Sequence, residues 1–306
     1  MELAKTSDIL KWAMDNKKAV CAFNVNNMEL LQAVTEAASE LEVPVLLQMT
    51  KSARNYASMR YVQGMVAAAA KPCPGYTPPM MALHLDHGDS FELCKECLDA
   101  GFSSVMIDGS HLPFEENVAL TKRVVDYAKS VGACVEGELG KIAGIEDDKS
   151  NEYSSYTDPK LVKEFVERTG VASLAISIGT AHGAFKYVNE PKFAFDILEQ
   201  IQKEIPNTPL VLHGASSVTP SDLETINKFG GKIENARGVS EDVLAKSIPL
   251  GIRKINIDSD LRLAFTASIR KYFAENPGHF DPRQYLAVAR ASVKEVVKRK
   301  LEAFSK

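Results

Sequence analysis

The stretch MMALHLDHGDSFELCKECLDA, residues 80–100, reads as a short apolar strand over Met80–Asp86, a polar turn, and an amphipathic helix over Phe91–Ala100. A five-to-seven-residue β-rich run followed by apolar residues at helical spacing is one β/α unit. Working outward, the unit recurs for eight rounds. The other strands are expected at Ala19–Val25, Val43–Met49, Ser104–Asp108, Ala133–Leu139, Ser173–Gly179, Pro209–His213 and Arg253–Asp258. Their helices are expected at Glu29–Glu42, Tyr56–Lys71, Glu115–Ser130, Pro159–Thr169, Lys192–Ile205, Pro220–Phe229 and Asp260–Phe273. Strands joined by helices run parallel. Eight rounds with no shift of composition favour a closed (β/α)8 TIM barrel, one domain over residues 1–306, above an open doubly wound sheet. A dinucleotide fold would carry G-x-G-x-x-G after its first strand, where Asn24-Val-Asn-Asn27 stands instead. Extra helices are expected at Ser7–Asn16, Val239–Ser247 and Tyr285–Ala303, the last capping the barrel or joining a subunit interface.

Composition narrows the function. In 306 residues, 45% hydrophobic and 25% charged side chains permit a large core and exclude a disordered chain. Lys+Arg 36 against Asp+Glu 40 gives −4, which offers no footprint for nucleic acid or an anionic membrane. An anionic ligand therefore needs a local cationic pocket. No run approaches the about 18 apolar residues of a membrane span, and residues 1–16 do not read as a signal peptide. Five scattered cysteines, an odd number, suit reduced thiols in a cytoplasmic protein. Cys94 and Cys97 spell C-x-x-C inside a helix, where packing is the expected role.

Barrels gather chemistry at the C-terminal ends of their strands. Polar residues stand there repeatedly: Asn24, Gln48, Thr50, His84, Asp86, His87, Asp108, Glu136, Glu138, His182, His213, Asn256, Asp258 and Ser259. Asp, Asn and Ser also cap helices, but histidine is not a favoured cap. His87, His182 and His213 end three different strands at the same expected rim, and three neutral imidazoles leave Zn²⁺ an open position for a substrate carbonyl. Asp86 beside His87 would place an acid/base next to that Lewis acid. Asp108 and Glu138 are as well suited to orienting a ligand imidazole as to touching the metal. The loops Gly179-Thr-Ala-His-Gly-Ala-Phe-Lys186 and His213-Gly-Ala-Ser-Ser217 suit either tight turns or a phosphate cradle, with Lys186 adding a point charge. Gly140–Asp158, long and polar, is expected to be a mobile lid over the barrel mouth.

The string His84-Leu-Asp-His-Gly88, with MIDGSHLPFEEN at 106–117, closely resembles the class II, metal-dependent ketose-bisphosphate aldolases. AFNVNN at 22–27, VEGELG at 135–140, IGTAHGAFK at 178–186, LHGAS at 212–216 and NIDSDLR at 256–262 extend the match over nearly the whole chain. The resemblance implies a zinc barrel that reversibly joins dihydroxyacetone phosphate to an aldehyde. It implies His87, His182 and His213 as zinc ligands, Asp86 as the acid/base for the C4 hydroxyl, and Glu146 of Gly144-Ile-Glu-Asp147 as a loop carboxylate that moves the carbon-bound proton. Asn24 and Asn256 resemble groups that bind substrate and stabilise its enediolate. Gly179, Gly183, Lys186, Gly214 and Ser216 resemble the phosphate cradle, with Thr50, Asp258 and Ser259 among the substrate contacts. The same loops resemble a monovalent-cation site for Na⁺ or K⁺. Sugar bisphosphate and triose phosphates are the implied partners, and a homo-oligomer, dimer or tetramer, the implied assembly.

Asp258-Ser-Asp-Leu-Arg262 resembles enzymes of fructose bisphosphate, where tagatose bisphosphate enzymes tend to carry a small first residue. The two sugars differ at C4 alone, and Asp258 with Arg262 at the far phosphate is the expected discriminator. Fructose 1,6-bisphosphate is the expected substrate; a tagatose enzyme and a barrel metal hydrolase are the alternatives. Thr50 and Ser52 stand where the family often shows Ser and Gly, Gly137 replaces a usual Ala, and Ser217 a usual Gly.

Overall fold

The computed structural model describes residues 3–146, 149–151, 155–182, 193–234 and 236–306. In chain order the strands are β1 (Val20–Asn24), β2 (Val45–Met49), β3 (Met81–Gly88), β4 (Ser104–Ile107), β5 (Cys134–Leu139) and β6 (Ala143–Glu146). They continue as β7 (Lys149–Asn151), β8 (Ser173–Ile176), β9 (Ala181–His182), β10 (Leu210–Leu212) and β11 (Ile252–Ile257). Eight of them close a barrel in the order β1-β11-β10-β8-β5-β4-β3-β2, every neighbouring pair parallel. Helices cover the outside, so strands are buried on both faces and read as unbroken apolar runs.

Alternate residues point inward and fill the barrel in layers. At the N-terminal end, Ile9 and Leu10 of helix Thr6–Asn16 pack on Val20, Ala22, Leu46 and Ala82 and plug the opening. Met106, Ala175 and Val211 pack together within the barrel. The C-terminal helix Pro282–Phe304 does not cap the mouth. It lies along helix Met28–Leu41 through Lys294 to Glu36 and Glu40, and its end is tied to β1 by the Ala19 N–H donating to Phe304 O at 3.0 Å.

Three details depart from the sequence expectation. The helix expected over Tyr56–Lys71 is two helices, Lys51–Ala57 and Met59–Ala69, broken where Ser58 takes φ 61°. The segment expected as a lid contains two strands not read from the sequence, β6 and β7, paired antiparallel, and β6 pairs in parallel with β9, Gly144 against His182. Gly144, at φ +114°, has no room for a Cβ against the His182 backbone. Strand β3 runs past Asp86 to Gly88, with a register shift between Leu85 and Gly88.

No helix among the described residues is long and apolar enough to cross a membrane. Cys94 and Cys97 are buried free thiols, burial pushing Cys97 up to about 11, in keeping with packing roles.

A Cβ on Gly137 would lie 2.9 Å from the Phe165 ring and 3.1 Å from Val171. Gly137→Ala is therefore expected to destabilise the fold by about 1–3 kcal/mol through overpacking. Equilibrium denaturation measures it, and an unchanged midpoint would mean that the ring yields without strain.

Candidate metal centre and active site

At the C-terminal rim, Asp86 sits fully buried among three amides from three other strands. Asn24 Nδ2 and Gln48 Nε2 donate to its Oδ2 at 2.9 and 3.1 Å, and Asn256 Nδ2 donates to Oδ1 at 3.0 Å. Gln48 Nε2 also donates to Asn24 Oδ1 at 2.6 Å, which locks the amides to one another. Asn256 Oδ1 and Gln48 Oε1 are buried acceptors without a hydrogen-bond partner, so each can receive a substrate hydroxyl.

Adjacent strand residues normally face opposite sides. His87 escapes that rule because it adopts φ +48°, a conformation uncommon outside glycine, at the register shift of β3. Its ring thereby joins Asp86 at the mouth, Nε2 4.0 Å from Asp86 Oδ1. The His87 and His213 rings meet edge-on with centroids 4.5 Å apart, and His182 completes the group at 5.0 Å from His87 and 6.1 Å from His213. His213 Nδ1 faces His87 Nε2 at 2.8 Å. In tetrahedral zinc geometry, bonds of about 2.0–2.1 Å would set two ligand nitrogens about 3.3 Å apart, so a small opening of this pair admits an ion.

Donor atoms of Asp86, His87 and His213 all lie within 4.8 Å of one another, as do those of His87, Asp108 and Glu138. His182 joins by ring contact rather than in either donor group. Two imidazoles and three carboxylates make up these groups, a mixed nitrogen and oxygen set that suits a divalent metal ion. Asp108 and Glu138 stand behind His87, 3.7 and 3.8 Å from its Nδ1, on the side away from His213.

His213 is oriented from below. Its Nε2 lies 2.7 Å from Glu136 Oε1, and the other Glu136 oxygen accepts from Lys254 Nζ at 2.8 Å, with all three side chains buried. Burial would raise the Glu136 carboxyl, but Lys254, His213 and His84 outweigh it and hold the group far below the usual carboxylate range. Burial, then the charge of Lys254, pushes His84 well below the ordinary histidine value against the pull of Glu136. His213 is lowered likewise by burial and by His87. These effects favour neutral imidazoles, the form that carries a lone pair for a metal.

The phosphate-loop candidates lie on the adjoining rim. Gly179 has φ +108°, and Gly214, at φ +63°, could not carry a Cβ without overlapping the Ala181 backbone, so the two loops touch. Ser216 Oγ accepts the N–H groups of Asp258 and Ser259 at 3.4 and 3.2 Å. Asp258 grips Arg262 with both oxygens, at 2.8 and 2.7 Å. Thr50 caps helix Lys51–Ala57, its Oγ1 accepting from the Ala53 N–H at 3.2 Å. Gly183, Lys186 and the side chain of Glu146 lie outside the described residues, although the Glu146 backbone belongs to β6.

Lys254 had no role in the sequence expectation, and Gln48 and Glu136 had only their position near strand ends. The signal was present in the period of two: Lys254 shares a strand face with Asn256, Glu136 with Glu138, and His84 with Asp86.

His84 binds no proton in the native state over a range where an unfolded histidine, near 6.5, does. Its contribution to stability is thus present above pH 6.5 and lost as pH falls below it. In urea unfolding of the metal-free protein between pH 6 and 5, wild type is expected to lose about 1.4 kcal/mol per pH unit more than His84→Gln. Parallel slopes would contradict the burial of a neutral ring.

Comparison with known proteins agrees with this geometry. Residues 4–306 match the family described as fructose-bisphosphate aldolase class-II. The fructose-bisphosphate aldolase of Treponema pallidum is 45% identical over 310 residues, covering 96% of this chain and 93% of the relative. That of Thermus caldophilus is 46% identical over 299 residues, covering 97% and 96%. Among solved structures, the YdjI aldolase of Escherichia coli K12 superposes with a TM-score of 0.79 at 32% identity, covering 99% of this chain and 98% of that one. A closed eight-stranded barrel, a histidine and carboxylate cluster at its C-terminal rim, and a family match along almost its entire length identify this chain as a member of the class II fructose-bisphosphate aldolases, metal-dependent lyases.

Proposed function

We propose that the barrel mouth carries out the reversible aldol cleavage of fructose 1,6-bisphosphate into dihydroxyacetone phosphate and glyceraldehyde 3-phosphate. The observation that carries this assignment is the Asp86 carboxylate, clamped by Asn24, Gln48 and Asn256 and set 4.0 and 3.9 Å from the ring nitrogens of His87 and His213. A proton carrier thus adjoins a metal site. His87, His182 and His213 would hold a zinc ion there, with Asp108 and Glu138 steadying His87 and Glu136 steadying His213. When bound, that ion supplies Lewis-acid polarisation of the substrate ketone.

The chain's own groups do the rest. Asp86 takes the proton of the C4 hydroxyl in cleavage and returns it in condensation. Glu146, carried by the β6–β7 hairpin, serves the proton on the dihydroxyacetone phosphate carbon. Asn256 turns its unpartnered Oδ1 toward a substrate hydroxyl, and Asn24 holds Asp86 in place. Backbone N–H groups at Gly179, Gly183 and Gly214, with Ser216, Ser259 and Lys186, receive the phosphate of that fragment. The same loops would also hold a monovalent cation, Na⁺ or K⁺. Asp258 and Arg262 read the far end of the sugar, and the working unit is a homo-oligomer.

Asp86→Ala is expected to keep its metal, measured by elemental analysis, while kcat for cleavage falls about 10²–10⁴-fold. Undiminished turnover would remove Asp86 from the mechanism. Purified enzyme should release triose phosphates without inorganic phosphate and stop on chelation; phosphate release would instead favour a hydrolase. Given both epimeric bisphosphates, it should prefer fructose over tagatose by roughly 10²-fold or more in kcat/KM, since a polar site rejects the misplaced hydroxyl. Equal rates would rule out discrimination by Asp258.

A further inference from the structure

We propose that Lys300 and Asp260, an ion pair buried outside the barrel wall, position the phosphate end of the site by clasping the turn that follows Ser216. Lys300 belongs to the C-terminal helix Pro282–Phe304, yet its side chain is wholly buried. Its ammonium has three protons and meets three acceptors: Ser217 Oγ at 2.5 Å, Asp260 Oδ2 at 2.9 Å and Glu241 Oε1 at 3.0 Å. Asp260, equally buried in the first turn of helix Ser259–Glu275, accepts the Ser217 N–H at 2.9 Å and the Val218 N–H at 2.6 Å.

The turn needs such a clasp. Val218 takes φ +53°, a conformation that a β-branched side chain resists and that persists only when its surroundings impose it. The same loop begins at His213 and runs through Gly214 and Ser216, the Ser216 Oγ accepting the Asp258 and Ser259 N–H groups. One carboxylate therefore fixes two successive amides of the strained turn. Lys300 in turn holds that carboxylate and the Ser217 hydroxyl. Neither residue contacts a reacting atom in this arrangement; both act through the loop. This inference rests on the phosphate role assigned above to Gly214 and Ser216.

The test uses zinc-loaded full-length enzyme. The double variant Lys300→Met/Asp260→Asn removes both charges together and so avoids stranding one in the interior. The KM for fructose 1,6-bisphosphate and the inhibition constant of inorganic phosphate are both expected to rise roughly ten- to a hundredfold, with kcat and zinc content within about threefold of wild type. A pair that served only stability would lower the active fraction, and hence kcat, at unchanged KM; that result, or wild-type constants throughout, overturns the proposal. Should the double variant not fold, Ser217→Ala keeps the ion pair and removes one hydroxyl, and it should raise both constants about threefold at constant kcat. Constants at wild-type values in that variant would also overturn the proposal. Wild type is measured first: absence of competitive inhibition by phosphate would instead defeat the phosphate reading of the loop.

Discussion

A single carboxylate inside the barrel joins the fold to the candidate metal centre. Glu136 touches the Lys254 ammonium with one oxygen and the His213 ring with the other. Unpaired, either charge would be costly in so dry a place; together they offset much of each other's desolvation. The geometry then propagates upward. With Nε2 engaged by Glu136, His213 turns Nδ1 toward His87 and the mouth. Lys254 also helps to balance a rim dense in acids, where Asp86, Asp108 and Glu138 crowd around the same imidazoles. Its charge therefore supports the packing and keeps nearby histidines unprotonated.

Two local irregularities complete the site where regular strands could not. A regular β3 would send Asp86 and His87 to opposite faces, and the left-handed backbone at His87 brings both to one pocket. At β6, Gly144 lets the hairpin lie directly on the backbone of His182. The hairpin strand that bears Glu146 is thereby coupled to a candidate ligand.

Much of this was legible in the sequence because parallel strands covered on both faces write themselves as short apolar runs, and all eight barrel strands fell where such runs lie. Rim residues such as Asn24, His213 and Asn256 stood out because they interrupt or end those runs. Harder to see were groups whose polarity is hidden inside an element. Lys254 lies amid Ile252, Ile255 and Ile257, and only the alternation of strand faces ties it to Asn256. Lys300 stands in Val-Lys-Arg-Lys, residues 297–300, which reads as a solvated helix face, and packing against two other helices is what buries it. The β6–β7 hairpin was obscured by glycine and acidic residues that carry little strand propensity. Ser58 offers no proline or glycine to announce its break.

The stopper formed by Ile9 and Leu10 has a consequence for access. Together with the side chains packed within the barrel, it closes the floor beneath the rim, so the candidate site opens toward the C-terminal mouth. Both fragments of a cleavage at that rim therefore leave, as they entered, on the same side of the barrel.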